Sequence, residues 1–346
     1  MKRFFVFYLS LVLFYSCDKE YQSREINKVE IEIVPVMIGT SIRAIQADST
    51  SKVFFAASNG YGAFDANGIS QKTLIHQDTI TTAFRSVAYN GTDNFILSVG
   101  NPALLYKIDS NGNKSIVYKE EHEKVFYDSM KFFDSKHGIA MGDPTEDCLS
   151  IILTKDGGST WNKIPCDKLP KVYEGEAAFA ASNTNIKVLE KTAWIVTGGT
   201  KARVFKTTDL GETWEVFETP IIQGNGPQGI YSVDFADENQ GIIIGGDYSN
   251  AEENKANKAI TKDGGKTWTL VADGLDPNYR SCVQYVPNTN GQEVFAVGKT
   301  GISYSRDGGI TWKKVSDEGF YTIQFVNENF AWLAGNNKLG KLKLPL

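Results

Sequence analysis

Arg85, Arg203 and Arg280, the acids Asp128, Asp143, Glu176 and Asp247, and the phenols Tyr231 and Tyr321 all stand at the edges of short apolar segments. Gathered around one opening, they could bind a carboxylate or a sugar acid, because a guanidinium presents paired donors to a planar anion. A tyrosine with carboxylates on either side could also serve as nucleophile, base and acid in glycoside cleavage. Other chemistry has little footing. His76, His122 and His137 have none of the spacings of a metal site. No nucleophile elbow or phosphate loop occurs. GNGPQG (224–229) fits a glycine-rich dinucleotide pattern, but Pro227 interrupts it and a strand, not a helix, follows. The sequence therefore implies neither metal nor cofactor.

The elements that must position these groups are set by an eight-residue phrase that occurs four times: TKDGGSTW (154–161), TTDLGETW (207–214), TKDGGKTW (261–268) and SRDGGITW (305–312). Its aspartates, Asp156, Asp209, Asp263 and Asp307, lie 53, 54 and 44 residues apart, the period of one supersecondary unit in a repeat protein. Apolar runs flank each copy, so the phrase reads as a hairpin turn. Glycine there takes the positive φ, and the Asp side chain accepts hydrogen bonds from turn amides. Trp161, Trp214, Trp268 and Trp312 then offer a large apolar face for packing between units. The motif resembles the Asp-box, or BNR, repeat of sialidases and related β-propellers, in which the box is a structural turn.

Similar units begin near IRAIQAD (42), FRSVAYN (84), FYDSMKFFD (126), GEAAFAASN (175), GIYSVDFAD (229), YRSCVQYVP (279) and FYTIQFVN (320). Seven starts imply an all-β, seven-bladed β-propeller. In the first two units the box is reduced to an Asp-x-Asn-Gly turn, and the last supplies only three strands. The alternating segment KVEIEIVPV (28–36) is the piece expected to complete it, so that N- and C-terminal strands close the last blade and hide a sheet edge. Loops that leave second strands or lead into first strands, including the insertions 218–229 and 247–259, are expected on the face around the channel mouth. On this mapping Arg85, Asp128, Glu176, Tyr231, Arg280 and Tyr321 enter first strands, Asp143 and Asp247 leave second strands, and Arg203 opens a third.

MKRFFVFYLSLVLFYS has a basic start and an apolar run too short to span a bilayer comfortably, which reads as a secretory signal. Ser16 before Cys17 resembles a bacterial lipoprotein signal, with Cys17 the lipidated first residue. Asp18, Lys19 and Glu20 resemble the export tether of surface lipoproteins in the Bacteroidetes group. The organisation is thus signal 1–16, tether 17–27 and propeller 28–346, with membrane attachment through the lipid alone. Cys148 and Cys166 flank the Gly157 turn nearly symmetrically, and are either a cross-strand disulfide or two separate half-buried thiols. Net charge is −5, which argues against nucleic acid as a partner.

Two resemblances bear on function. Sialidases hold the substrate carboxylate with three arginines and use a Tyr-Glu pair with an Asp acid. On that pattern Arg85, Arg203 and Arg280 are the carboxylate binders, and Tyr231 or Tyr321, Glu176 and Asp143 the reacting groups. The Phe/Tyr-Arg-Ile-Pro stretch of those enzymes is absent, since Arg85 stands in AFRSVA. Over almost the whole mature chain, FFDSKHGIAMGDP, GEAAFAASNT, ARVFKTTDLGETW, GGDY and GGITWKKV look like the bacterial branch of the photosystem II stability/assembly factor-like propellers. Plant and cyanobacterial members of that group are assembly chaperones, and some relatives carry an oxidoreductase label for which this chain offers no cofactor site. Together with the Cys17 signal, the resemblance leads to the expectation of a monomeric, non-catalytic binding or assembly module of the cell envelope, anchored by lipid at the outer membrane and facing periplasm or cell surface. Its partner is a protein or a glycan. The alternative is a sialidase-like glycoside hydrolase or glycan-binding protein.

Overall fold

The computed structural model describes residues 21–73, 75–76 and 80–345. The signal segment, Cys17 and the tether residues up to Glu20 lie outside them. Seven antiparallel sheets form the blades, six of four strands and that of blade 5 extended to six by the short strands Glu176–Ala177 and Gly198–Gly199, with only two short 3-10 turns among the described residues. Blade 1 runs from Ile42–Ser49 to Gly68–Lys72, blade 2 from Phe84–Tyr89 to Lys114–Glu120, and blade 3 from Tyr127–Phe132 to Asn162–Lys163. Blades 5 and 6 begin with Gln228–Phe235 and Cys282–Tyr285. Blade 7 takes three strands from the C-terminal end (Thr322–Asn327, Phe330–Ala334, Lys338–Lys343) and its outermost from Glu30–Pro35. That strand pairs antiparallel with the last one, from Glu30 opposite Lys343 to Pro35 opposite Lys338. The ring is closed by the two ends of the chain.

Each box is built as its residue types dictate. In blade 3, Thr160 N–H and Oγ1 donate to the two Asp156 carboxylate oxygens (2.9 and 2.7 Å) and Thr154 Oγ1 donates to Oδ1 at 2.9 Å. Asp209, Asp263 and Asp307 accept the same set. The second glycine must be glycine: at Gly158, φ is +84° and a Cβ would sit 2.4 Å from the Phe95 ring of the preceding blade. The closing tryptophan packs on that same preceding blade. Trp161 meets Phe95 edge-on at 6.3 Å, and Trp268 lies beside Phe235, which is itself stacked 3.8 Å from Trp194 of blade 4. The box therefore joins blades as well as turning the chain.

Blade 4 departs from the expected plan. GEAAFAASN does not form its first strand. Only Glu176–Ala177 pair, with Gly198–Gly199, and the strand proper is Ile186–Leu189. Between them, Ala178–Asn185 leaves the sheet and crosses the channel. The small side chains at 178, 180 and 181 let the backbone fit there, and the polar run from Ser182 to Asn185 supplies hydrogen bonds. Every other blade holds this span. Arg43 donates to Ala181 O (3.3 Å) and Arg85 to Ala180 O (3.0 Å), from blades 1 and 2. Met130 N–H of blade 3 donates to Asn183 Oδ1 at 3.1 Å, while Asn183 Nδ2 donates to Val87 O at 2.8 Å. Val233 N–H of blade 5 donates to Thr184 O, Ser182 Oγ donates to Ser281 O beside blade 6, and Thr322 Oγ1 of blade 7 donates to Ser182 O.

The N-terminal stretch behaves differently from a loose tether over the residues described. Arg24 forms a forked, buried ion pair with Glu293 (Nη2 to Oε2 2.7 Å), Tyr21 Oη donates to the same carboxylate at 2.6 Å, and Ile26 is buried. The cause is Glu293, whose fully buried carboxylate needs donors, and this stretch provides them. Cys148 and Cys166 form a disulfide with Cα atoms 5.5 Å apart, and Cys282 is a buried free thiol.

Asn183 tests the span. It is buried, sits at φ +59° and satisfies two backbone groups of other blades. Asn183→Ala is expected to destabilise by about 4 kcal/mol, from two orphaned backbone groups plus a left-handed backbone without its preferred residue. Asn183→Gly should cost about 1 kcal/mol less, since glycine removes only the conformational part. Urea unfolding of both variants checks this order.

Candidate functional site

The span divides the channel. On the side where first strands begin, it floors a cavity of about 440 Å³. What aims side chains into that cavity is a recurrent irregularity. In blades 1, 2, 3 and 5 the pairing of first and second strands slips by one residue near its start, and the skipped residues are Arg43, Arg85, Asp128 and Tyr231. A bulge of this kind takes its residue out of the in-and-out alternation of the sheet. Arg43, Arg85 and Tyr231 reach the cavity as a result, joined by Asp143 and Tyr321.

Not all the expected residues converge. Glu176 and Arg203 pair with each other inside blade 4 (Nη2 to Oε2 2.6 Å, Nε to Oε1 2.9 Å), and Thr197 Oγ1 adds a third donor to the carboxylate. Arg280 follows no bulge. It lies before its strand, fully buried, with its Nη atoms spent on Asn278, Tyr279 O, Thr300 and Ser303 and its Nε without a partner. Burial pulls its pKa down to about 10. Asp247 caps the turn Tyr248–Asn250, accepting from Ser249 N–H at 2.8 Å. The three arginines of a sialidase pattern are therefore not assembled: only Arg85 reaches the cavity.

The structure supplies what sequence reading omitted. Arg43 lies over the Tyr321 ring at 4.1 Å, and its Nε is buried without a partner. Its signal was present, since Arg43 in IRA holds the same slot as Arg85 in FRS. Tyr248, Tyr279 and Phe179 build an aromatic wall around Tyr231, which stacks on Phe179 at 3.9 Å and meets Tyr279 edge-on at 4.9 Å. Lys299, after the second strand of blade 6, donates to Tyr248 O at 3.1 Å. The wall thus stands beside two guanidiniums and an ammonium.

Beneath the arginines lies a carboxyl pair. Asp128 is fully buried, with neither oxygen hydrogen-bonded, and burial followed by the charge of Asp143 pushes its pKa well above the usual range. Asp143 accepts from Ala178 N–H at 2.8 Å, and burial raises it to about 6. Arg85 is pulled down, first by burial and then by Arg43. At neutral pH the cavity therefore offers closely spaced cations over a pair that retains a proton. Among the described residues no group of three or more His, Cys, Asp or Glu is gathered to hold a metal ion.

The comparisons agree with this architecture. The family model for the BNR/Asp-box repeat matches residues 303–314, and a Sortilin-Vps10 model (sortilin, neurotensin receptor 3) matches residues 149–303. The chain is a BNR-type β-propeller. Among solved structures, the propeller resembles YCF48 bound to D1 peptide, at TM-score 0.65 and 16% identity over 94% of this chain and 100% of that one. It also resembles YCF48 from Cyanidioschyzon merolae (TM-score 0.60, 13% identity, 91% and 98% covered). A third match is virginiamycin B lyase from Staphylococcus aureus (0.61, 12%, 92% and 100%). At such identities the likeness is one of fold. No curated protein matches the chain.

The carboxyl pair gives the propeller a pH signature. Both groups hold protons more tightly when folded than in the unfolded chain, where Asp ionises near pH 3.9. The folded form therefore binds extra protons from about pH 4 to about 6, and stability falls as pH rises through that window. Urea unfolding should show Asp143→Asn with a flatter profile, differing from the unsubstituted protein by the order of 2 kcal/mol across the window.

Proposed function

We propose that this protein is a non-catalytic, lipid-anchored binding or assembly module of the bacterial envelope, and that its 440 Å³ cavity takes an extended, acid-bearing segment of a protein partner. The observation that carries the reading is the pairing of Arg43 and Arg85 with an aromatic wall in one open cavity. Guanidiniums supply directional contacts to a carboxylate, and the rings supply apolar area at little entropic cost. Arg85 and Arg43 each give a donor to the span, which holds them in place before a ligand arrives. That a solved structure of similar fold is of YCF48 bound to D1 peptide supports a peptide as the class of ligand.

Attachment through Cys17 fits the same picture. Residues 21–27 dock beside Glu293, Gln292 and Arg306, at the end of the blade 6 strands where its box turn lies. The cavity opens at the other end of those strands. A lipid four residues before Tyr21 would therefore leave the cavity pointing away from the bilayer, toward periplasm or medium. No helix among the described residues is long and apolar enough to cross a membrane.

The test is a crosslinked pull-down from envelope fractions with the mature protein and with the Arg43→Met/Arg85→Met double variant. A captured partner should be lost with the variant. A synthetic peptide from that partner should bind the variant at least tenfold more weakly, the worth of one charge-assisted hydrogen bond. Equal capture and equal affinity would overturn the reading.

A further inference from the structure

Below the span lies a second chamber, of about 220 Å³, that shares no lining residue with the first. Its walls come from the far halves of the first strands. Lys131 of blade 3 projects there and has no hydrogen-bond or ion-pair partner among the described residues. Lys187 of blade 4 and Asp234 of blade 5 face it, but they are paired with each other at 2.5 Å, and Asp234 Oδ2 also accepts from Tyr285 N–H at 2.7 Å. The one nearby carboxylate is thus already used, and the chamber keeps the uncompensated charge of Lys131.

Two glutamines sharpen the chemistry. Gln284 Oε1 accepts from Phe325 N–H and Gln324 Oε1 accepts from Ala47 N–H, each at 2.8 Å. A backbone N–H can only donate, so these contacts fix which amide atom is oxygen and leave the amide nitrogens as the free ends. Both residues line the chamber, and neither Nε2 has a partner among the described residues. The chamber therefore holds an ammonium and two NH2 groups, all donors, with no acceptor assigned to them. Lys131, Gln284 and Gln324 are half-buried, so these donors face the chamber and stay open to an acceptor from solution.

We propose that this lower chamber is a binding site for a small oxyanion, of sulfate, phosphate or carboxylate chemistry, held by Lys131 and the side-chain amides of Gln284 and Gln324. The site stands apart from the peptide cavity and does not rest on that assignment. In the free protein, burial, with Lys187 next, lowers the Lys131 amine to about 8. Asp234 opposes this, whereas the Cys282 thiol, kept neutral by burial, adds no charge. Anion binding accordingly weakens on the alkaline side, as the ammonium gives up its proton.

The experiment titrates inorganic sulfate, whose charge is constant over this range, into the mature Arg43→Met/Arg85→Met protein at fixed ionic strength, followed by calorimetry. That background removes the arginines of the upper cavity. Saturable binding is expected at pH 7, weakening roughly tenfold to a hundredfold on adding Lys131→Gln. Parallel titrations with phosphate and acetate show which oxyanion class the chamber prefers. With uniformly labelled lysine in the unsubstituted protein, the Lys131 side-chain resonance should move with sulfate, which keeps the test independent of how well the variants fold. No saturable binding in the Arg43→Met/Arg85→Met background, unchanged affinity after Lys131→Gln, or a Lys131 resonance indifferent to sulfate would each overturn the proposal.

Discussion

One eight-residue crossing, Ala178–Asn185, ties this ring together, because it touches every blade other than its own through hydrogen bonds. Inner strands of neighbouring blades share side-chain packing but no continuous backbone ladder, so polar groups at the channel wall need acceptors and donors from somewhere. The crossing provides them: Val87 O, Ser281 O, and the N–H groups of Met130 and Val233 are all satisfied by it. Filling the axis with peptide also turns one wide tube into two chambers of different chemistry, with aromatic and guanidinium groups above and an ammonium and amides below.

The residues facing those chambers follow from strand irregularity more than from composition. Where a bulge occurs, as at Arg43, Arg85 and Tyr231, the side chain swings to the axis. Where none occurs, as at Arg280, the same residue type is absorbed between strands and its charge is met by carbonyl and hydroxyl oxygens. Glu176 and Arg203 show the third fate, a closed ion pair whose partners satisfy each other and leave nothing for a ligand. Arg85 and Arg280 at first strands and Arg203 at the start of a third thus end in three different environments.

Much of the architecture was legible in the sequence, because the box is a local device. Thr, Asp, Gly and Trp at fixed offsets contain their own hydrogen bonds and their own packing surface, and the open three-stranded end called for the alternating segment 28–36. The first strand of blade 4 was not legible, since GEAAFAASN and IKVL are both plausible strands and only the needs of the channel decide between them. Site membership was half legible. Position in the repeat told which residues approach the axis, but the direction of each side chain depends on bulges and on the crossing, which arise from contacts far apart in sequence.

The pairing of Glu30–Pro35 with Lys338–Lys343 bears on biogenesis. Until the final strand has been synthesised, the first has nothing to pair with, and blade 7 presents a bare ladder of amide and carbonyl groups. The ring therefore cannot close before Lys338–Lys343 has been made, and Glu30–Pro35 waits unpaired until then. Shortened products lacking the terminal strand keep an adhesive flank, which gives proteases a simple criterion for removing them.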